Sequence, residues 1–222
     1  MITLYHCADA RSFRPLWALE ELGLDYDLRM LPFPPRGLAR GFLRENPLGT
    51  IPLLVDGETR MTESAAIVEY LSRKYGGDTG LAVEPDEPGF GAWLNALHFG
   101  EATLTFPQTL VLRYRRLEPE ERRQPQVADD YAKWFLARLR GLEAIVEKSE
   151  FVAAGRFTGG DISVAYALLL AQSLGLADQF PPAVAAYWAR IQARPGFISA
   201  KAAQAKASAE QGLTAVPLDQ LS

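Results

Sequence analysis

The chain has 222 residues, 48% of them hydrophobic, and a formal charge of −4. That is enough apolar material for one large core or two small ones, and too much for disorder. No long run of one charge sign occurs, which argues against a nucleic-acid partner, and no stretch approaches the roughly 20 apolar residues that span a bilayer. The longest apolar run is Val164 to Ala171. A single cysteine, Cys7, permits no intrachain disulfide and fits a reducing compartment. His6 and His98 with that cysteine make no structural zinc site, so no metal is expected. Met1 to His6 has neither a basic nor an extended apolar leader region, so no signal peptide is expected. These features predict a soluble cytoplasmic protein.

Ile2 to Tyr5 reads as a short apolar strand. Ser12 opens a helix with Phe13, Leu16, Leu19 and Leu22 on one face, stopped by Gly23. Tyr26, Leu28 and Met30 alternate with Asp25, Asp27 and Arg29 as a second strand. Strand, helix, strand with short connections predicts a parallel βαβ unit. Pro32 to Gly49 is rich in Pro and Gly, with a short helix around Leu38 to Arg44. Ile51 to Thr62 reads as a hairpin turning at Asp56-Gly57, and Ser64 to Tyr75 as a helix.

Gly76 to Gly89 has linker composition, and beyond it only helical periods occur. A long helix is predicted over Gly91 to Arg115, bent at Pro107. Another is predicted over Val127 to Lys148, with a buried stripe of Tyr131, Trp134, Phe135, Arg138, Leu139, Leu142, Ile145 and Val146. Asp161 to Leu174, Pro182 to Ala193 and Phe197 to Gln211 complete the series. The expected division is residues 1–76, a linker at 77–88, and an all-helical domain at 89–222.

Four local patterns carry chemical meaning. In Asn46-Pro47-Leu48-Gly49-Thr50-Ile51-Pro52, a proline opens a strand. It is either an ordinary trans edge proline, or a cis proline that turns the preceding backbone outward toward a peptide ligand. In Thr62-Glu63-Ser64, a strand passes into a helix N-terminus, which suits either simple capping or an amino-acid head group, its carboxylate on the N–H groups and its ammonium on Glu63. Asp9-Ala10-Arg11-Ser12 opens the first helix, where Ser12 serves as a cap or as a donor to a thiolate favoured by the dipole and Arg11. Thr158-Gly159-Gly160-Asp161 reads as a capping box and nothing more.

Together with Ser12 to Leu24, and with Phe157 to Asp161 and Arg190 to Pro195 further on, these stretches resemble the glutathione transferase superfamily in order and over nearly the whole chain. The resemblance implies a thioredoxin-like α/β N-terminal domain, an all-α C-terminal domain and a homodimer. It implies glutathione as cosubstrate, with Ile51 and a cis Pro52 at the cysteinyl part and Glu63 and Ser64 at the γ-glutamyl end. Arg40 is the candidate for the glycyl carboxylate. The thiol would be activated by Ser12 with Arg11, or by Tyr5 at the end of the first strand. Cys7 offers a lesser, thiol-transferring route. Phe99, Thr103, Phe106 and Tyr166 are candidate contacts of a small hydrophobic electrophile, as in a detoxifying conjugation. Glutathione-dependent peroxidase, isomerase or dehalogenase activity, or a non-enzymatic binding role on the same scaffold, are the alternatives.

Overall fold

The structure is a computed structural model in which residues 1–213 are described. It divides into two compact units. One comprises Met1–Thr79 with the described residues from 193 onward; the other comprises Gly80–Gln192.

The first unit is built on a four-stranded mixed sheet in the order β2-β1-β3-β4, with β1 Ile2–His6, β2 Tyr26–Met30, β3 Leu53–Asp56 and β4 Thr59–Met61. β1 and β2 are parallel and are joined by helix α1 (Phe13–Leu22), so strand, helix and strand form the expected βαβ unit. β3 runs antiparallel to β1 and to β4. Leu4 pairs with Leu28 on one side and Leu54 on the other, placing the most apolar strand at the sheet's centre. Phe13, Leu16, Trp17 and Leu19 bury α1 completely on one face. Gly23, at φ 61°, ends it in the left-handed conformation, with Gly23 N–H donating to Glu20 and Leu24 N–H to Leu19.

The hairpin turn falls one residue later than the sequence suggests. Asp56 pairs with Thr59, so Gly57 and Glu58 form the turn, and Gly57 carries the positive φ of 59°. Asp56 stays in the ladder because its carboxylate is employed. It accepts from Tyr70, Lys74 and Tyr75 of α3 (Ser64–Tyr75) at 2.7, 2.8 and 2.6 Å, tying the hairpin to the helix that follows. Between β2 and β3 lie a four-residue helix α2 (Pro35–Leu38) and a 3-10 turn at Arg40–Arg44.

The last helix, α9 (Pro195–Glu210), belongs to this unit, although the sequence reading grouped it with the helical domain. Its Phe197 ring meets Phe13 and Trp17 edge-on at 5.4 and 5.1 Å. Arg194 forks onto both carboxylate oxygens of Glu21 at 2.9 Å. Beyond the helix, Gln211 accepts from Met30 N–H and donates to Leu28 C=O, closing the open edge of β2.

The second unit is helical: α4 (Phe90–His98), α5 (Phe106–Leu112), α6 (Pro125–Val146), α7 (Gly159–Ser173) and α8 (Pro182–Gln192). The predicted long helix is interrupted before Pro107, because Phe99–Thr105 winds as a wider π-helix. A proline lacks its N–H and crowds the carbonyl four residues back, and the wider turn leaves room for it. Thr105 Oγ1 donates to Gly100 C=O at 2.7 Å within that turn. Every residue of α7 from Gly159 to Ala171 is buried, which makes it the unit's central helix. Thr158 and Asp161 form the expected capping box: Gly160 N–H reaches Thr158 Oγ1, and Thr158 N–H reaches Asp161. On α6 the buried face is Ala128, Ala132, Phe135, Leu139 and Leu142, whereas Trp134 and Ile145 of the predicted stripe are exposed. Part of the expected linker is fastened to this unit by Arg156, which donates to the carbonyls of Gly80 and Ala82 and pairs with Glu87. Among the described residues no helix is long and apolar enough to cross a membrane.

Candidate functional site

The three ligand-facing patterns of the N-terminal half all lie in the first unit. Residues 7–12 join β1 to α1. Asp9 holds a left-handed φ of 53°, uncommon for a residue with a side chain. Ser12 sits at the start of α1 but makes no capping bond with its hydroxyl. That hydroxyl is fully buried, 2.7 Å from His6 Nδ1, and accepts from Cys7 N–H at 3.2 Å. His6 is equally buried, and its Nε2 lies 2.9 Å from Gln204 Oε1 on α9.

Burial lowers the His6 pKa to about 4, against the opposing pull of Gln204 and Asp9, so the ring is neutral at pH 7. A neutral ring has one N–H. The Gln204 carbonyl oxygen can only accept, so His6 donates from Nε2, and Nδ1 takes the Ser12 proton. Gln204 also accepts from Asp9 N–H at 3.2 Å and donates to Asp9 Oδ1 at 2.7 Å. Lys201, one turn earlier on α9, bridges both Asp9 oxygens at 2.7 and 2.8 Å.

Ile51-Pro52 is a cis peptide, as the resemblance implies, and it precedes β3, so the ladder with β1 begins only at Leu53. Asn46 shapes the approach by donating to Thr50 C=O and accepting from Leu48 N–H. Ile51 packs with Tyr5, Cys7, Ala10, Phe42 and Leu53 in one cluster. The Tyr5 ring lies tilted against Phe42, 5.2 Å between centroids, and its phenol oxygen accepts from Arg29 at 3.2 Å. Cys7 is fully buried with its Sγ 3.6 Å from Pro32 C=O, and burial pushes its thiol up to about 12. It is therefore held in the unreactive protonated form.

Glu63 is exposed at the N-terminus of α3, with extended backbone and a side chain uncommitted to capping. Ser64 behind it is buried and accepts from Arg14 Nη1 at 3.0 Å. Arg14 itself is fully buried on α1. This contact joins the first turns of α1 and α3, so the loop opening α1 and the start of α3 share one wall. Arg11 is half-buried; Arg40 and Thr50 are exposed. In the helical unit, Phe99 and Thr103 are half-buried in the π turn and Phe106 is 51% exposed, whereas Tyr166 is 2% exposed inside α7.

Sequence reasoning assigned no role to Arg14, Lys201 and Gln204, weighed His6 only as a metal ligand, and read Asp9 only as part of the loop that opens α1. Arg14 had a signal, since it stands among Phe13, Leu16 and Trp17 on the buried side of α1. Chemically, the assembly offers the Ile51 backbone just ahead of the β3 ladder, a helix N-terminus with an acid and a buried hydroxyl, and a short loop opening a second helix.

Comparison with known proteins points the same way. Residues 10–74 match the model of the glutathione S-transferase N-terminal domain. Glutathione S-transferase 3 of Schizosaccharomyces pombe is 36% identical over 104 residues, which is 47% of this chain and 43% of that protein. Glutathione S-transferase 3 of Zea mays is 30% identical over 196 residues, 81% of this chain and 83% of the relative. Among solved structures, glutathione transferase URE2P6 from Phanerochaete chrysosporium, in complex with oxidized glutathione, superposes with a TM-score of 0.81 at 28% identity, covering 93% of this chain and 97% of that one. With the fold, the three patterns and a relative matched over four-fifths of its length in agreement, the chain belongs to the glutathione S-transferase family.

Proposed function

We propose that this protein is a glutathione transferase that adds the thiolate of glutathione to a small hydrophobic electrophile. The observation that carries the reading is the head-group position at the start of α3. There Arg14 holds the buried Ser64 hydroxyl at 3.0 Å, beside the exposed Glu63 and the free N–H groups of a 12-residue helix. An α-carboxylate matches the N–H groups and Ser64, and an α-ammonium matches Glu63. The Ile51 backbone, outside the sheet ladder, supplies strand-like pairing to the cysteinyl residue. Arg40 is the proposed partner of the glycyl carboxylate. The match to URE2P6, whose structure holds oxidized glutathione, supports this placement.

The sulfur then meets the loop opening α1. Bringing a thiol of pKa about 8.5 down by about two units needs about 2.7 kcal/mol. The helix N-terminus and Arg11 contribute to that stabilisation, and Ser12 and Tyr5 are the hydroxyls on this end of β1. The thiolate attacks an electrophilic carbon of the cosubstrate and forms a thioether, as a leaving group departs or a double bond takes up the electron pair. Family membership supports a homodimer in the cytoplasm as the working form. The test is steady-state conjugation kinetics. Glu63→Gln and Ser64→Ala are expected to raise KM for glutathione by about tenfold each, the loss of one charge-assisted contact. Unchanged KM in both variants contradicts the head-group assignment, and unchanged kcat/KM in both Ser12→Ala and Tyr5→Phe contradicts the thiol assignment.

A further inference from the structure

The loop that opens α1 carries an acid that works against the chemistry proposed for it. Asp9 lies two residues from Arg11, and a carboxylate there opposes a developing thiolate. Its backbone also sits in the left-handed region, at φ 53°, a conformation that Asp adopts more readily than most residues with a side chain but that its hydrogen bonds here must hold in place. Both difficulties are met from α9, some 195 residues away in sequence. Lys201 bridges both carboxylate oxygens, and Gln204 binds both the carboxylate and the Asp9 N–H. The same Gln204 oxygen accepts from His6, whose other nitrogen takes the Ser12 proton. Gln204 is 5% exposed, so its bonds are made away from water, where leaving one unmade is costly. One turn of α9 therefore reaches the acid, the left-handed backbone and the Ser12 hydroxyl together.

We propose that Lys201 and Gln204 are positioning residues for glutathione activation: they neutralise Asp9 and, through His6, fix Ser12, so that the loop presents the start of α1 to the sulfur with no opposing charge. In this arrangement the Ser12 proton is spent on His6, and Ser12 acts by holding the loop closed. The inference rests on the glutathione transferase reading and extends it to a helix that the head-group contacts do not involve.

The test uses the full-length protein with reduced glutathione, reading affinity by calorimetry and ionisation by the ultraviolet thiolate band of the bound ligand at pH 7. Lys201→Met is expected to keep the dissociation constant within about threefold, because Glu63, Ser64 and Ile51 are untouched, while at least about half of the thiolate band is lost as one nearby cation disappears. Lys201→Arg, and the double variant Asp9→Asn with Lys201→Met, are expected to restore the band. The first returns a cation, and the second removes the charge it answered while Asn tolerates the left-handed backbone. Gln204→Leu gives the same loss without rescue by Asp9→Asn, since the link to His6 stays broken. A Lys201→Met protein that melts earlier but keeps its full thiolate band overturns the inference alone, as does a band the double variant fails to restore. A wild-type protein that binds no glutathione overturns both this inference and the function on which it rests.

Discussion

At the scale of single residues, the loop after β1 is governed by what burial does to titratable groups. His6 is buried and neutral, with its pKa lowered to about 4, whereas an unfolded histidine titrates near 6.5. Between those values the unfolded chain binds the extra proton and the folded one does not. Stability from this group is thus complete above about pH 6.5 and is lost as pH falls toward 4, with a slope of up to about 1.4 kcal/mol per pH unit. Buried Asp161, raised to about 6, titrates with the opposite sign over part of this range, so the decline is expected in the stability difference between wild type and His6→Gln, measured by urea unfolding at pH 7 and pH 5. An unchanged pH slope in His6→Gln means that another group titrates. Cys7 is buried in the same region, and its thiol, pushed up to about 12, is expected to resist iodoacetamide in the native protein and to react after denaturation. Rapid native labelling would return Cys7 to consideration as a nucleophile.

At the scale of elements, close approach decides what helix substitutions cost. A Cβ added to Gly100 would lie 2.5 Å from the backbone of Ser163 on α7, whose Oγ also donates to Leu97 C=O at 2.7 Å. Gly100→Ala is therefore expected to destabilise by about 2–3 kcal/mol despite its better helix propensity, and a thermal melt no lower than that of wild type contradicts it. This contact also marks where sequence legibility ends. Helical spacing located α1 and α3, because each buries one face; alternation located β2, a short apolar run β1, and the Asp56-Gly57 turn signal the hairpin. They did not locate the π turn at Phe99–Thr105, which depends on how Pro107 is accommodated and how closely α7 approaches. On α6 the predicted stripe followed the aromatic residues, but the buried face runs through Ala128 and Ala132, and small residues announce burial weakly. Ile51-Pro52 and Glu63-Ser64 were legible as short contiguous motifs at strand and helix boundaries. Arg14 with Ser64, and Asp9 with Lys201 and Gln204, were not, since partners 50 and 195 residues apart leave no local spacing to read.

At the scale of the whole molecule, the chain returns to its first unit after building the helical one. α9 packs on α1 through Phe197, is pinned to its last turn by Arg194 and Glu21, and closes the β2 edge through Gln211 just beyond the helix. The first unit thus needs both ends of the described chain: strands and motifs from residues 1–79, and the helix that braces the loop after β1 from the far end. The proposed chemistry depends on this unit binding reduced glutathione through Glu63, Ser64 and Ile51. Calorimetric titration of the purified protein with reduced glutathione tests it most directly. Saturable binding at one site per chain is expected, weakened about tenfold by Ser64→Ala, the loss of one charge-assisted contact. No binding at millimolar glutathione would rule out Glu63, Ser64 and Ile51 as a glutathione site, whatever the resemblance of the fold.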